Sequence, residues 1–323
     1  MIDGERMKIK TVKKMNNIVP ILWLLFVWCV PVVMAQTEQT RLFEYDAGET
    51  LDIRENAVEN RPGVKIYDIS YASPKGGRVT AYLVVPAEKG KFGGAIFLHG
   101  SGANRGQFLP EALRLAPRGI VSLIIDAPSA RPEPWRKSPY TYLEADRDIR
   151  VQSVIDLRRA VDLLTARRDV DAKRIAFVGY SLGATVGGVL AGVEKRIKAY
   201  VLMTAAGSQI EFWREPNNPV VEDFKKRLTP ERFELYVKSL EPVEQINYIN
   251  QAAPAKLFFQ FAKEDEIIPV ESAKKFYEAA SKPKTVKWYK TKHSLNAQAT
   301  TDRMNWVIEQ VGSPLLREFS EPN

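Results

Sequence analysis

Short apolar runs separated by polar turns recur along this chain from residue 67 onward. At 67–71 and 79–85 apolar and polar residues alternate, which is typical of half-buried strands. After Pro86 the runs become continuously apolar, as at 95–98 and 120–125, which indicates strands covered on both faces by helices. The pattern therefore predicts an antiparallel edge followed by a parallel sheet.

Helical and strand patterns then alternate toward the end of the chain. Apolar residues three and four apart predict a helix across 151–164, and a second helix follows at 182–193. This order of elements predicts an α/β fold, a doubly wound and mostly parallel sheet in one large domain. The other predicted elements are strands at 174–179, 197–204, 256–262 and 286–290, and helices near 271–280 and 302–311.

Residues 207–254 interrupt this alternation, because the segment is too long for a simple crossover. Thr229 and Pro230 fit the start of a helix, with a capping hydroxyl before a first-turn proline. Insertions at the carboxyl edge of such a sheet commonly cover the binding crevice, so we predict an inserted helical cap. An extra helix packed on the body is the alternative. The candidate wall residues of this insert, and of a shorter one at 127–146, are aromatic: Phe212, Trp213, Phe224, Phe233, Tyr236, Trp135, Tyr140 and Tyr142.

The N-terminus has the three parts of an export signal. Lysines come first, an apolar run follows across 18–33, and Ala35 occupies a small-residue cleavage position. We predict a signal peptide at 1–35, a mature domain at 36–323 and export to the periplasm or the medium. An uncleaved anchor is the alternative, although the run is shorter than the ~20 residues of a membrane span and two prolines interrupt it.

The net charge and the cysteine content of the chain exclude several classes of function. The formal net charge of +8 is scattered in short pairs, which solvated faces explain better than a nucleic-acid surface does. The single cysteine, Cys29, lies in the predicted signal peptide, so the mature chain has neither a thiol nucleophile nor a disulfide. The two histidines suggest no metal-ligand spacing, and no phosphate or dinucleotide fingerprint occurs. We therefore expect no metal and no cofactor.

The stretch FVGYSLGA, residues 177–184, carries the first candidate for chemistry. Its centre, from Gly179 to Gly183, fits the pattern G-x-S-x-G with Ser181 in the middle. The pentapeptide lies between a predicted buried strand and a helix rich in small residues. A serine on such a turn presents its hydroxyl above the sheet, and the glycines remove Cβ clashes. Ser181 is therefore the candidate nucleophile.

A serine nucleophile needs a base, and the chain offers two histidines. His99 ends the strand at 95–98 and opens the loop HGSGANRG, whereas His293 follows the last strand. In a strand-turn-helix site of this kind the acid and then the histidine come after the serine. We therefore predict His293 as the base. For His99 we expect a ring that bonds the backbone of its own loop.

Three consecutive acidic residues follow the strand at 256–262: Glu264, Asp265 and Glu266. We choose Asp265 as the acid that orients the imidazole and stabilises its charged form, and the two glutamates stay open as alternatives. Asp126 ends an earlier strand and precedes the nucleophile, so we expect it to form structural hydrogen bonds.

The loop after the strand at 95–98 contains a candidate donor for an oxyanion hole. Its glycines allow a tight turn, and the N–H groups of Ser101 and Leu182 are candidates for an oxyanion hole. The N-terminus of the helix after Ser181 also directs N–H groups at the position where negative charge would develop.

The segments FLHGSGANRG, FVGYSLGA, FAKEDEIIP and KTKHSLN, in this order, resemble the α/β-hydrolase superfamily, in particular its dienelactone-hydrolase-like and acyl-esterase branches. The resemblance covers about 67–311. It implies the α/β-hydrolase fold, with Ser181 as nucleophile, Asp265 as acid and His293 as base. It also implies an oxyanion hole from Ser101 and Leu182. Dienelactone hydrolases proper have a cysteine where this chain has serine, which favours ordinary carboxylic esters.

The hypothesis that follows is a cofactor-independent serine hydrolase that cleaves small carboxylic esters through an acyl-enzyme on Ser181. Thioesterase, lactonase and peptidase activities are alternatives on the same triad. A non-catalytic binding protein with the hydrolase fold is the alternative from another class. The acyl preference and the oligomeric state are not assigned.

Overall fold

A sheet of nine strands runs through the described part of the chain. The structure, a computed structural model, describes residues 40–137 and 143–313, so the predicted signal peptide and residues Tyr140 and Tyr142 lie outside it. The strands are β1 (Arg54–Arg61), β2 (Val64–Ala72), β3 (Arg78–Pro86), β4 (Phe92–Leu98), β5 (Ile120–Ile125), β6 (Val170–Tyr180), β7 (Ala199–Met203), β8 (Lys256–Ala262) and β9 (Lys284–Tyr289).

The strands lie in the order β1-β2-β3-β5-β4-β6-β7-β8-β9. The pairs from β1 to β5 are antiparallel, and every neighbouring pair from β5 to β9 is parallel. This confirms the predicted doubly wound sheet with an antiparallel edge. The strand order reverses around β4, and a crevice opens beyond the carboxyl ends of strands at such a point.

Helices cover both faces of the sheet, because successive strand residues point to opposite sides. Ala95 and Phe97 of β4 belong to the core on one face of the sheet, and Ile96 and Leu98 belong to the core on the other face. The helices are α1 (Leu109–Leu115), α2 (Leu143–Ala166), α3 (Leu182–Val193), α4 (Gln209–Trp213), α5 (Pro219–Lys225), α6 (Pro230–Ser239), α7 (Ile246–Ile249), α8 (Val270–Ala279) and α9 (Ala297–Val311). Short 3₁₀ turns lie at Arg105–Phe108, Ala116–Arg118, Pro128–Ala130 and Glu241–Val243.

Of the helices in the described ranges, none has the length and apolar character to cross a membrane.

The hydrophobic pattern does not predict β1. Its sequence, RENAVENR, is exposed at every position, so it has no buried face and no apolar alternation. The strand forms because its backbone pairs with β2 from Arg54 opposite Ser70 to Arg61 opposite Val64. Main-chain hydrogen bonding rather than burial therefore determines this edge of the sheet.

The segment 207–254 folds into α4 to α7, in agreement with the predicted helical insert. Thr229 caps α6 by accepting the N–H of Arg232 at 3.3 Å. The aromatic rings of the segment pack mainly against one another. Trp213 lies 4.8 Å from Phe224 and 5.4 Å from Tyr236, measured between ring centroids. These rings are also part of the larger hydrophobic core that includes α2, α3 and α8, so the insert packs on the body of the domain, and Tyr236 lines the cavity described below.

A buried ion pair ties the loop after β5 to the body of the protein. Arg131 in this loop bonds to Asp156 on α2, and both side chains are at most 1% exposed. Asp156 also accepts a 2.6 Å hydrogen bond from Ser73 Oγ, and the hydroxyl of Tyr71 donates to the main-chain carbonyl of Asp156 at 2.9 Å. The loop is therefore held against α2, and the same Asp156 joins α2 to the end of β2.

We expect Arg131→Met to lower the free energy of unfolding by about 3–5 kcal/mol, because the Asp156 carboxylate stays buried without its cation. Adding Asp156→Asn to this variant should recover part of the loss, since no buried charge is then left unpaired. Urea unfolding measures the free energy of unfolding of the single and the double variant. Arg227→Met is the control: its pair with Asp223 is exposed and should contribute less than about 1 kcal/mol. Wild-type stability in Arg131→Met would contradict this role of the pair.

Candidate active site

Ser181 lies in the turn between β6 and α3. Its φ of 51° and ψ of −110° are unusual for a residue with a Cβ atom. Two main-chain hydrogen bonds hold this conformation, from Ser181 N–H to Met203 O and from Thr185 N–H to Ser181 O, both 2.9 Å long. The turn thereby places the hydroxyl at the carboxyl end of the sheet.

Two glycines make this turn sterically possible. A Cβ atom on Gly183 would lie 2.1 Å from Leu98 O, and one on Gly179 would lie 2.4 Å from Gly183 O. Backbone atoms cannot accommodate contacts this short, so α3 approaches β4 and β6 only with glycine at both positions. This is the physical reason for the spacing G-x-S-x-G in this chain.

Ser181, His293 and Asp265 form one line of hydrogen bonds. His293 Nε2 lies 3.0 Å from Ser181 Oγ, and His293 Nδ1 lies 2.9 and 3.0 Å from the two carboxylate oxygens of Asp265. The His293 and Asp265 side chains are 9% and 3% exposed. Because a carboxylate accepts only, Nδ1 donates to Asp265 and Nε2 is left as the acceptor for the serine proton. The structure brings together the three side chains that the sequence selected.

The two neighbouring glutamates do not contact the imidazole ring. Glu264 is exposed, whereas Glu266 accepts the main-chain N–H of His293 at 3.0 Å. This hydrogen bond lowers the pKa of the Glu266 carboxyl. Asp265 Oδ1 also accepts two backbone N–H groups of its own loop at 2.9 Å. The loop after β8 therefore holds His293 by its ring and by its main chain, a role for Glu266 that no sequence pattern indicates.

Tyr180 holds the backbone of the histidine from another side. Its hydroxyl donates to His293 O at 3.2 Å, and the two rings lie 5.4 Å apart. Burial, and then the charges of Asp265 and Glu266, raise the pKa of Tyr180 to about 12. The phenol therefore keeps its proton at neutral pH and stays a donor. No sequence pattern indicates this role of Tyr180.

His99 and Asp126 lie outside this line and have structural contacts. His99 Nδ1 donates to Gly100 O at 2.7 Å, and His99 Nε2 accepts the N–H of Ala127 at 3.0 Å. Burial lowers the pKa of His99, which keeps the ring neutral. Asp126 accepts a 2.5 Å hydrogen bond from Thr80 Oγ1. Asp126 also accepts the main-chain N–H of Arg105 at 2.7 Å, so both side chains hold loops at the carboxyl edge of the sheet, in agreement with the predicted structural hydrogen bonds.

A cavity of about 500 Å³ lies at the carboxyl edge of the sheet, and none of Ser181, Asp265 and His293 is among the residues that line it. Ser101 and Leu182, the two candidate oxyanion residues, both line it. Leu182 is the first residue of α3, so its N–H is one of the donors that a helix leaves without an internal partner. The remaining lining residues come from the loops after β4 and β5 and from α2, α3 and α6: Gly102, Ala103, Asn104, Ala127, Ser129, Ala130, Asp146, Ile149, Arg150, Ser153, Val186 and Tyr236.

In residues 40–137 and 143–313, no three side chains of His, Cys, Asp or Glu come together in a way that could hold a metal ion.

The comparisons with known proteins concern the fold of this chain. A model of the "Alpha/beta hydrolase family" matches residues 95–303. No curated protein sequence matches the chain. The prediction of the dienelactone-hydrolase-like branch stays a prediction.

Several solved structures are similar to this chain. An acetyl xylan esterase from a Paenibacillus species has a TM-score of 0.73 at 21% identity, over 86% of this chain and 93% of that one. An acetyl xylan esterase from a Thermoanaerobacterium species also has a TM-score of 0.73, at 16% identity over 85% and 93%. A cold-adapted esterase from an Arctic intertidal metagenomic library has a TM-score of 0.58, at 17% identity over 79% and 98%. Identities this low show a shared fold. Because the family model covers more than half of the chain, this protein belongs to the α/β-hydrolase family.

Proposed function

We propose that this protein is a serine hydrolase that cleaves small carboxylic esters through an acyl-enzyme on Ser181. The observation that carries the proposal is the 3.0 Å contact between His293 Nε2 and Ser181 Oγ, with Asp265 on the other ring nitrogen. A serine hydroxyl becomes a useful nucleophile when a positioned base removes its proton. The esterases among the similar folds also support ester hydrolysis.

The proposed reaction has two halves that use the same groups. Ser181 Oγ attacks the ester carbonyl carbon while His293 Nε2 takes the hydroxyl proton, and Asp265 stabilises the imidazolium that forms. The oxyanion is bound by the N–H groups of Ser101 and Leu182, each worth about 2.7–4 kcal/mol of transition-state stabilisation. His293 then gives the proton to the leaving alkoxide. Water, deprotonated by His293, attacks the acyl-enzyme and releases the acid and the free serine.

A fluorophosphonate probe followed by peptide mass spectrometry tests this assignment. We expect one adduct, on Ser181, and no adduct in Ser181→Ala, which should also lose hydrolysis of 4-nitrophenyl esters. Ser294→Ala is the matched control, because this serine follows His293 and is exposed. Persistent labelling in Ser181→Ala would disprove the nucleophile. A wild-type protein without labelling or turnover would favour the non-catalytic binding protein.

The substrate class is proposed more broadly than the reaction. Thioesters, lactones and peptides stay alternatives, because the same three groups cleave them. Acetylated carbohydrates are candidate substrates, since two of the similar folds are acetyl xylan esterases.

We also propose that residues 1–35 are removed during export, that 36–323 is the mature domain and that 207–254 caps the crevice. Tyr236 of this insert lines the cavity, which supports the last point.

A further inference from the structure

The helical insert contacts the loop that carries the proposed acid. Asn218 lies in the turn before α5, is 6% exposed and donates from Nδ2 to the main-chain oxygen of Ile267 at 2.8 Å. Ile267 belongs to the loop between β8 and α8 and comes two residues after Asp265. A buried side chain of the insert is therefore bonded to the loop of the acid.

The peptide group between Ile267 and Ile268 connects Asn218 to the Asp265 carboxylate. Its oxygen accepts from Asn218 Nδ2, and its N–H, which belongs to Ile268, donates to Asp265 Oδ1 at 2.9 Å. In a trans peptide group the C=O and N–H bonds lie in one plane and point in opposite directions. A donor held at the oxygen therefore fixes the direction of the N–H, and the polarised peptide group donates more strongly to the carboxylate.

The Asp265 carboxylate bonds both the imidazole and its own loop. Its two oxygens lie 2.9 and 3.0 Å from His293 Nδ1, and Oδ1 also accepts the N–H groups of Ile267 and Ile268. A shift of the second of these N–H groups would turn the carboxylate relative to the imidazole. Displacements of about 1 Å in an active site can lower a rate about 10²-fold, so the orientation of this peptide group affects turnover.

Helix capping does not by itself account for an asparagine at this position. The Oδ1 atom of Asn218 caps α5 by accepting the N–H groups of Val220 and Val221 at 3.0 and 3.4 Å. Serine and aspartate cap helices about as well as asparagine does, and Thr229 caps α6 of the same insert with a hydroxyl oxygen. Capping uses only the oxygen of the Asn218 amide, and the nitrogen is the atom that bonds Ile267.

We propose that Asn218 is a positioning residue of the active site, because its Nδ2 orients the peptide group that donates to Asp265. The helical insert thereby helps to hold the acid against His293. Asn218 takes no part in making or breaking bonds, and its effect reaches Ser181 through Asp265 and His293. This inference rests on the proposed function and adds a form of regulation to the same site, since a movement of the insert is transmitted to the acid.

The variants Asn218→Ser and Asn218→Asp keep the cap and remove the donor. Serine is too short to reach the oxygen of Ile267, and an ionised aspartate has no hydrogen to donate. We expect Asn218→Ser to lower kcat for 4-nitrophenyl butyrate about tenfold at nearly unchanged KM. Asn218→Asp should lower kcat further, because its charge faces a carbonyl oxygen. Circular dichroism and urea unfolding check that both variants fold.

A double-variant cycle separates an effect through Asp265 from a general loosening of the structure. In Asp265→Ala no carboxylate is left to orient, so adding Asn218→Ser should change the residual kcat by less than about twofold. The measurement uses raised protein concentrations, because the background is slow. If Asp265→Ala does not fold, Asp265→Asn takes its place, since it also removes the carboxylate, and the same small effect is expected.

Thr229→Ala is the matched control in the same insert. Thr229 is exposed and caps α6 by accepting the N–H of Arg232. The variant removes a helix cap and leaves the bond from Asn218 to Ile267 in place. We therefore expect kcat to stay within about twofold of wild type, even where urea unfolding shows a less stable protein.

Each other outcome overturns the role of Asn218. Wild-type kcat in both Asn218 variants would mean that the donor does not matter. An equal loss from Asn218→Ser with and without the Asp265 carboxylate, or a tenfold loss in Thr229→Ala, would mean that the effect does not pass through the acid. Labelling of Ser181 in the wild type leaves the proposed function standing in all these cases. Absence of both turnover and labelling in the wild type overturns the proposed function and this inference with it.

Discussion

His293→Ala should lower kcat for ester hydrolysis by about 10⁶-fold, with a much smaller change in KM. The reason is the contact of 3.0 Å between His293 Nε2 and Ser181 Oγ, which makes this ring the acceptor of the serine proton. Without it the hydroxyl stays protonated, and the leaving group receives no proton. The effect is measured as hydrolysis of 4-nitrophenyl butyrate by purified wild type and variant at equal protein concentrations.

Two further variants make this prediction specific. The double variant Ser181→Ala/His293→Ala should be no slower than either single variant, because the two residues act as one unit. Lys292→Ala, which removes an exposed side chain next to the histidine, should stay close to wild type. Activity in His293→Ala within tenfold of wild type would mean that another group is the base.

Asp265→Asn should lower kcat by about 10⁴-fold while leaving the fold intact. The asparagine oxygen can still accept the backbone N–H groups of the loop, but its amide NH₂ can donate to the imidazole. Donation to Nδ1 of His293 moves the ring proton to Nε2, which then cannot accept from Ser181. Steady-state kinetics measure the loss, and thermal unfolding followed by circular dichroism checks the fold.

The variant Glu266→Gln tests whether Asp265 or the neighbouring Glu266 acts as the acid. The side-chain oxygen of glutamine can still accept the main-chain N–H of His293, so we expect less than a tenfold loss of kcat. A loss in Glu266→Gln as large as that in Asp265→Asn would contradict the choice of Asp265 as the acid.

Local patterns predict a large part of this fold. The strand at 256–262 and the helix at 182–193 have the predicted bounds, because a short continuous apolar run marks a buried strand and a run of small residues after the serine turn marks a closely packed helix. The turn at Ser181 is predictable for a similar reason, since a backbone of this shape requires glycine on both sides. The strand Arg54–Arg61 is not predictable from hydrophobicity, because pairing with β2 rather than burial creates it.

The sequence predicts the site residues whose positions follow from chain order and from the ends of strands. It does not predict the residues whose roles depend on side-chain contacts. Asp265 and His293 follow adjacent strands, so the sheet brings them together. Glu266 and Tyr180 act on the main chain of the histidine. These roles depend on distances between elements far apart in sequence. A single sequence contains no pattern that marks them.

The backbone at Ser181 also bears on how this sequence can change over time. A residue with a Cβ atom in this conformation costs about 1–3 kcal/mol, whereas glycine adopts it with little strain. The most heat-resistant version of this turn is thus an inactive one. Selection for durability alone favours glycine at this position, and only selection for turnover retains the serine.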